Sequence, residues 1–142
     1  MEAISRRRKP SSAAGVELIH IQGFAFCKSN MYQFCHATGD FWYSVGSNIV
    51  VYDPVKKVQK DYLKNVKGLP FSSLAFTDDG NDLYAGEYMA KEANIKQYTL
   101  SKSGRFILKN SLKTMFRSID SLCVSQSKSL LAIFGTIRTS EK

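Results

Sequence analysis

From Val16 onward the apolar residues come in short runs bounded by Gly, Asn, Asp, Ser and Pro, and those runs are rich in Val, Ile, Phe and Tyr. Branched and aromatic side chains suit a pleated, half-buried surface, so the runs predict strands. No segment carries the i, i+3, i+4, i+7 stripe of an amphipathic helix, and Tyr88 to Asn94 has room for one helical turn at most. Residues 1–15 are polar, basic and small, without a hydrophobic period. They cannot bury enough surface to offset the entropy of ordering and are expected to form a flexible basic tail ahead of a folded region, residues 16–142.

The predicted strands repeat. Gly39 to Gly46 is answered by Gly80 to Gly86 and again by Lys128 to Gly135, with closing glycines 40 and 49 residues apart. A shorter strand and a turn precede each: Met31 to Cys35, Ser73 to Phe76 with the turn Thr77 to Gly80, and Ser121 to Val124. A third strand follows the first two, Asn48 to Asp53 and Asn94 to Thr99, and then a fourth, Val58 to Leu63 and Arg105 to Asn110. Four antiparallel strands in roughly 40 to 45 residues is the period of a propeller blade. Inner strands of a blade are covered on both faces, which Ile49-Val50-Val51 and Leu130 to Phe134 fit; an outer strand alternates, as Val58 to Leu63 does. The expected fold is therefore all-β, an incomplete β-propeller of about two and a half four-stranded blades. Closed propellers need four to eight, so the chain is expected to be part of a larger assembly of blades.

Some of these strands resemble a known class. Val50-Val51-Tyr52-Asp53 resembles the strand ending in the Trp-Asp pair of WD-repeat proteins, and Leu74 to Gly80 resembles the strand and turn of the next repeat. Gly23-Phe24, Thr38-Gly39-Asp40, Asn48 to Tyr52 and Lys57 to Leu63 together resemble the opening blade of echinoderm microtubule-associated-protein-like proteins and of cilia- and flagella-associated WD-repeat proteins. Kinase-scaffolding WD-repeat proteins of the spindle pole are similar too. The sequence departs from the pattern where Tyr52 and Tyr98 replace the tryptophan and Thr99 replaces an acid, and no buried His-Asp relay is evident. The resemblance implies a non-enzymatic scaffold in the cytoplasm and cytoskeleton, set in the axoneme of a cilium or flagellum. Its partners would be proteins of that assembly, tubulin being a candidate. The alternative is a scaffold for kinase signalling or spindle-pole assembly.

Composition narrows the chemistry. The 142 residues are 44% hydrophobic and 23% charged, which suits one folding domain, and no apolar run approaches the roughly 20 residues of a membrane-spanning helix. Three widely spaced cysteines make no disulfide framework. Cys27, Cys35 and His36 lack the ligand number and spacing of a zinc site, and Cys35 and Cys123 read as small core residues. Asp78, Asp79 and Asp82 lack the spacing of a calcium loop and read as an acidic hairpin turn. With only His20 and His36 as neutral-pH bases, and neither beside a nucleophile motif, no catalytic residue, cofactor or small-molecule substrate is expected.

The formal charge is +8, from 20 Lys+Arg against 12 Asp+Glu. Arg6, Arg7, Arg8 and Lys9 suit an acidic surface of protein, lipid or nucleic acid, which charge alone does not separate. Lys56, Lys57, Lys60, Lys64 and Lys67 line the first outer strand and its flanks. They either guard a free edge against pairing with other chains or meet an acidic partner. Nucleic acid is not the expected partner, because stacked aromatics do not accompany these lysines.

Overall fold

A computed structural model describes residues 30–88 and 91–137 as ten antiparallel strands in three sheets. Sheet I is β1 (Tyr32–Cys35), β2 (Asp40–Val45), β3 (Asn48–Asp53) and β4 (Val58–Lys64) in that order. Sheet II repeats the meander with β5 (Phe71–Phe76), β6 (Asp82–Glu87), β7 (Asn94–Leu100) and β8 (Phe106–Lys113). Sheet III pairs β9 (Phe116–Val124) with β10 (Leu131–Ile137). The two and a half blades expected from the repeat are present. Arg6, Arg7, Arg8 and Lys9, the rest of the expected tail, His20, Gly23-Phe24 and Cys27 lie outside the described residues. Residues 91–93 bend without forming a helical turn, and residues 89 and 90 are not described.

The sheets stack face to face. Trp42 of β2 sets its ring edge-on against Phe76 and Phe106 of sheet II, with centroids 5.4 and 4.8 Å away. Around them Ile49, Val51, Leu74, Leu83 and Tyr98 close the first core. The second core joins Ala75, Ala93 and Ile95 of sheet II and its loop to Ile119 and Leu122 of β9. Two glycines set how closely these layers approach. A Cβ on Gly86 would lie 2.5 Å from the Ile119 Cβ, and one on Gly80 would lie 2.5 Å from the Ala37 Cβ. The three closing glycines of the repeat are not equivalent in space: Gly46 sits at φ +55 in the β2–β3 turn, whereas Gly86 and Gly135 lie within strands.

Registers show the repeat directly. Phe34, Phe41 and Tyr52 form a cross-strand row on one face of sheet I, and Phe76, Leu83 and Tyr98 form the matching row in sheet II. In sheet II that row is packed against sheet I. In sheet I it faces away from sheet II, so Tyr32 and Phe34 remain 44% and 45% exposed.

Two core expectations are corrected. Leu130 to Phe134, read as a strand covered on both faces, is an edge: Leu130 and Phe134 are each 70% exposed, and Cys123, read as core, is exposed. The cause is that sheet III has two strands among the described residues, so β10 has one open edge and one open face. Cys35, by contrast, is fully buried beside Gly80.

Candidate protein-interaction surface

Strand alternation sends the connections to two opposite ends of the stack. The β1–β2, β3–β4, β5–β6, β7–β8 and β9–β10 turns share one end, and the β2–β3, β4–β5, β6–β7 and β8–β9 connections share the other. The predicted lysines divide between them. Lys56 and Lys57 lie in the β3–β4 turn, while Lys64 and Lys67 lie about 20 Å away beyond a seven-residue strand. All five are exposed, yet Lys60 already donates to both oxygens of Asp40 at 2.9 Å. They do not form one patch.

At the first end acids and bases neutralise one another locally. Asp53 accepts from the backbone N–H groups of Val55 and Lys56 at 3.0 and 2.9 Å, and these bonds, the one from Lys56 foremost, hold its carboxyl below the usual range. Asp79 accepts from Lys128 across the gap between sheets II and III and from Thr77 within its own turn. The bond from Lys128, then that from Thr77, holds the Asp79 carboxyl well below its ordinary pKa. The same bond raises the pKa of Lys128. Asp82 accepts from Thr99, the residue standing in place of the expected acid.

The second end is built differently. Glu87, fully buried at the end of β6, accepts from the Asn94 backbone and side chain at 3.0 and 2.8 Å and from the Asn65 side chain at 3.0 Å. The Lys96 ammonium lies 3.5 Å away. Burial pushes this carboxyl up, but the bonds from Asn94 and Asn65, with the Lys96 charge, outweigh it and leave the pKa lowered. Burial, with the Glu87 charge behind it, pushes the Tyr98 phenol up to about 12. This buried network was not read from the sequence.

Glu87 also fixes a loop. Asn65 donates on to the Leu69 carbonyl at 3.0 Å and accepts from the Lys67 N–H at 3.1 Å, which holds residues 65–69 as a tight turn with Gly68 at φ +71. Val66 stands at its tip, 93% exposed. The equivalent β8–β9 connection is pinned by Thr114, whose hydroxyl donates to the Ala93 carbonyl at 2.6 Å and accepts from the Phe116 N–H at 3.2 Å. Met115 stands at its tip, 75% exposed. Beside it Arg117 joins Tyr88, Ser118 and Thr136 in lining a cleft of about 290 Å³. Lys64, Lys67, Lys113 and Arg117 are exposed and make no ion pair among the described residues. Here the sequence supplied Lys64 and Lys67. Lys113, Arg117, Val66 and Met115 were missed, because only the stacking of sheet II on sheet I brings the two loops to one end.

Among the described residues no group of three His, Cys, Asp or Glu side chains is placed to hold a metal ion. His36 is exposed, with its ring edge-on to Phe34 at 5.1 Å.

Two four-stranded meanders and a two-stranded hairpin, stacked face to face, make an incomplete WD-repeat-like β-propeller. Consistent with this, the chain is similar to a chain in the crystal structure of a mitotic checkpoint complex, with a TM-score of 0.61 and 11% identity over 73% of this chain. It covers 32% of that chain's length. At this identity the likeness shows the fold. No family model matches the chain, and no curated protein matches it.

Proposed function

We propose that this chain is a scaffold segment that holds proteins together in the microtubule cytoskeleton, within the axoneme of a cilium or flagellum. The observation that carries the scaffold reading is the WD-repeat-like stack, which presents loops and open edges on a rigid frame. What supports the cytoskeletal setting is the resemblance of Gly23 to Leu63 to the opening blade of microtubule-associated and ciliary WD-repeat proteins. The basic residues suit the same setting: Arg6, Arg7, Arg8 and Lys9 of the sequence, together with the exposed Lys56, Lys57, Lys64 and Lys67, would meet an acidic protein surface such as that of tubulin. Lys60, bonded to Asp40, contributes less.

Proximity labelling of the intact protein in ciliated cells tests this. Tubulin, dynein or axonemal tether components among the labelled proteins are the expected result. Kinases or spindle-pole components instead would move the scaffold to signalling or mitosis, and a diffuse signal by immunofluorescence would remove the ciliary setting.

A further inference from the structure

We propose that the end of the stack bearing Val66 and Met115 is a preformed docking surface for an acidic segment of a partner protein that also carries apolar side chains. The proposal rests on the scaffold reading and adds which surface binds and what chemistry it selects. Three observations carry it.

Charge is the first. At the opposite end Asp53, Asp79 and Asp40 are each engaged by a lysine, whereas Lys64, Lys67, Lys113 and Arg117 make no ion pair among the described residues. Glu87 is buried and committed to Lys96, Asn94 and Asn65, and Glu92, the exposed acid of the β6–β7 connection at this end, stands next to exposed Lys91. Asp120 accepts from Ser118 and Thr136. A field of one sign selects a partner of the other.

Exposure is the second. Val66 and Met115, at 93% and 75%, are the most exposed large apolar side chains at this end, and both stand at loop tips flanked by bases. An apolar anchor ringed by charge is how a contact excludes water around its centre.

The third is rigidity. Side-chain bonds from Asn65 and Thr114 pin both loops, and Asn65 is itself held by buried Glu87. A partner meeting fixed loops loses little extra freedom in ordering them.

The test uses the intact protein, taken from the monodisperse fraction of a size-exclusion column, and a short fluorescein-labelled peptide in which glutamates surround leucines, followed by fluorescence anisotropy at low and physiological salt. Lys67→Glu with Lys113→Glu, and separately Val66→Ser with Met115→Ser, are each expected to weaken binding at least about tenfold. Lys102→Glu with Arg105→Glu, in the β7–β8 turn at the opposite end, is expected to change it less than about twofold. All six positions are exposed, and circular dichroism of each variant confirms the same strand content. Binding that is absent, that ignores Val66 and Met115, or that falls equally with the Lys102 and Arg105 changes overturns the proposal. So does an oligonucleotide that displaces the peptide equally well, which would mark a surface for any polyanion. Proximity labelling repeated with the Lys67→Glu and Lys113→Glu chain separates the two readings: an unchanged set of partners leaves the scaffold standing and removes this surface, whereas no partners even for the unaltered chain removes the scaffold.

Discussion

Two kinds of constraint act on single residues here, and glycine separates them. Gly80 and Gly104 both adopt positive φ, at +67 and +75. Around Gly104 there is open space, while a Cβ at Gly80 would meet Ala37 and Cys35 of sheet I. Gly104→Ala should therefore cost the backbone penalty alone, about 1 kcal/mol, and Gly80→Ala that penalty plus overpacking, about 2–4 kcal/mol in all. Urea denaturation of the two variants compares them directly, and equal losses would mean that sheet I and sheet II do not meet at this turn. Glu87 shows the second kind of constraint, electrostatic and internal. Its folded pKa is lowered, so its contribution is complete above the unfolded carboxyl value near 4.3 and is lost as pH falls through the folded value. Glu87→Gln leaves the Lys96 ammonium buried without its counter-charge and should destabilise by about 3 kcal/mol at pH 7. The gap from wild type should narrow below about pH 4, a trend that thermal melts across the acid range can follow.

Among elements, β2 and β10 hold matching places in the repeat but differ in what covers them. Trp42 on β2 is 3% exposed and wedged between Phe76 and Phe106. Phe134 on β10 is 70% exposed. Trp42→Ala should cost about 3–5 kcal/mol, and Phe134→Ser less than about 0.5 kcal/mol in this chain. The thiols report the same asymmetry: Cys123 should react quickly with a maleimide and Cys35 only on unfolding, as peptide mapping by mass spectrometry can follow. Strand positions were legible because the period-2 and apolar patterns depend on each strand's own residues. Asn48–Asp53 was read to the residue, and β4, β6 and β7 within one or two. Burial of β10 was misread because an apolar run states what a strand can cover, while a neighbouring sheet decides whether it is covered.

At the scale of the whole molecule, the stack presents apolar groups at both of its outer faces: the Tyr32, Phe34, Phe41 and Tyr52 face of sheet I and the Ala132 and Phe134 face of sheet III. The first of these matches, position by position, a face that sheet II buries. Isolated residues 1–142 should accordingly bind a hydrophobic dye such as ANS and run as aggregates in size exclusion, since apolar surface of this kind is normally covered. A sharp cooperative melt with a monomeric elution volume and no dye binding would mean that these faces are stable in water. Half of the candidate surface was legible in the same way as the strands: Lys64 and Lys67 stand beside one another in sequence. Its other half, Lys113, Arg117 and Met115, is about 50 residues further on and joins them only through the stacking of two sheets.

The sequence by itself determined the strands, their meander order, the number of blades and the basic excess, because hairpins form between neighbours and the repeat writes each blade out in order. Tertiary structure decided which bases are neutralised and which are left unpaired, which cysteine is buried, and which glycines cannot carry a side chain. Each of those depends on a contact between residues tens of positions apart, such as Asp79 with Lys128 or Gly86 with Ile119, and no local pattern encodes the distance between two sheets.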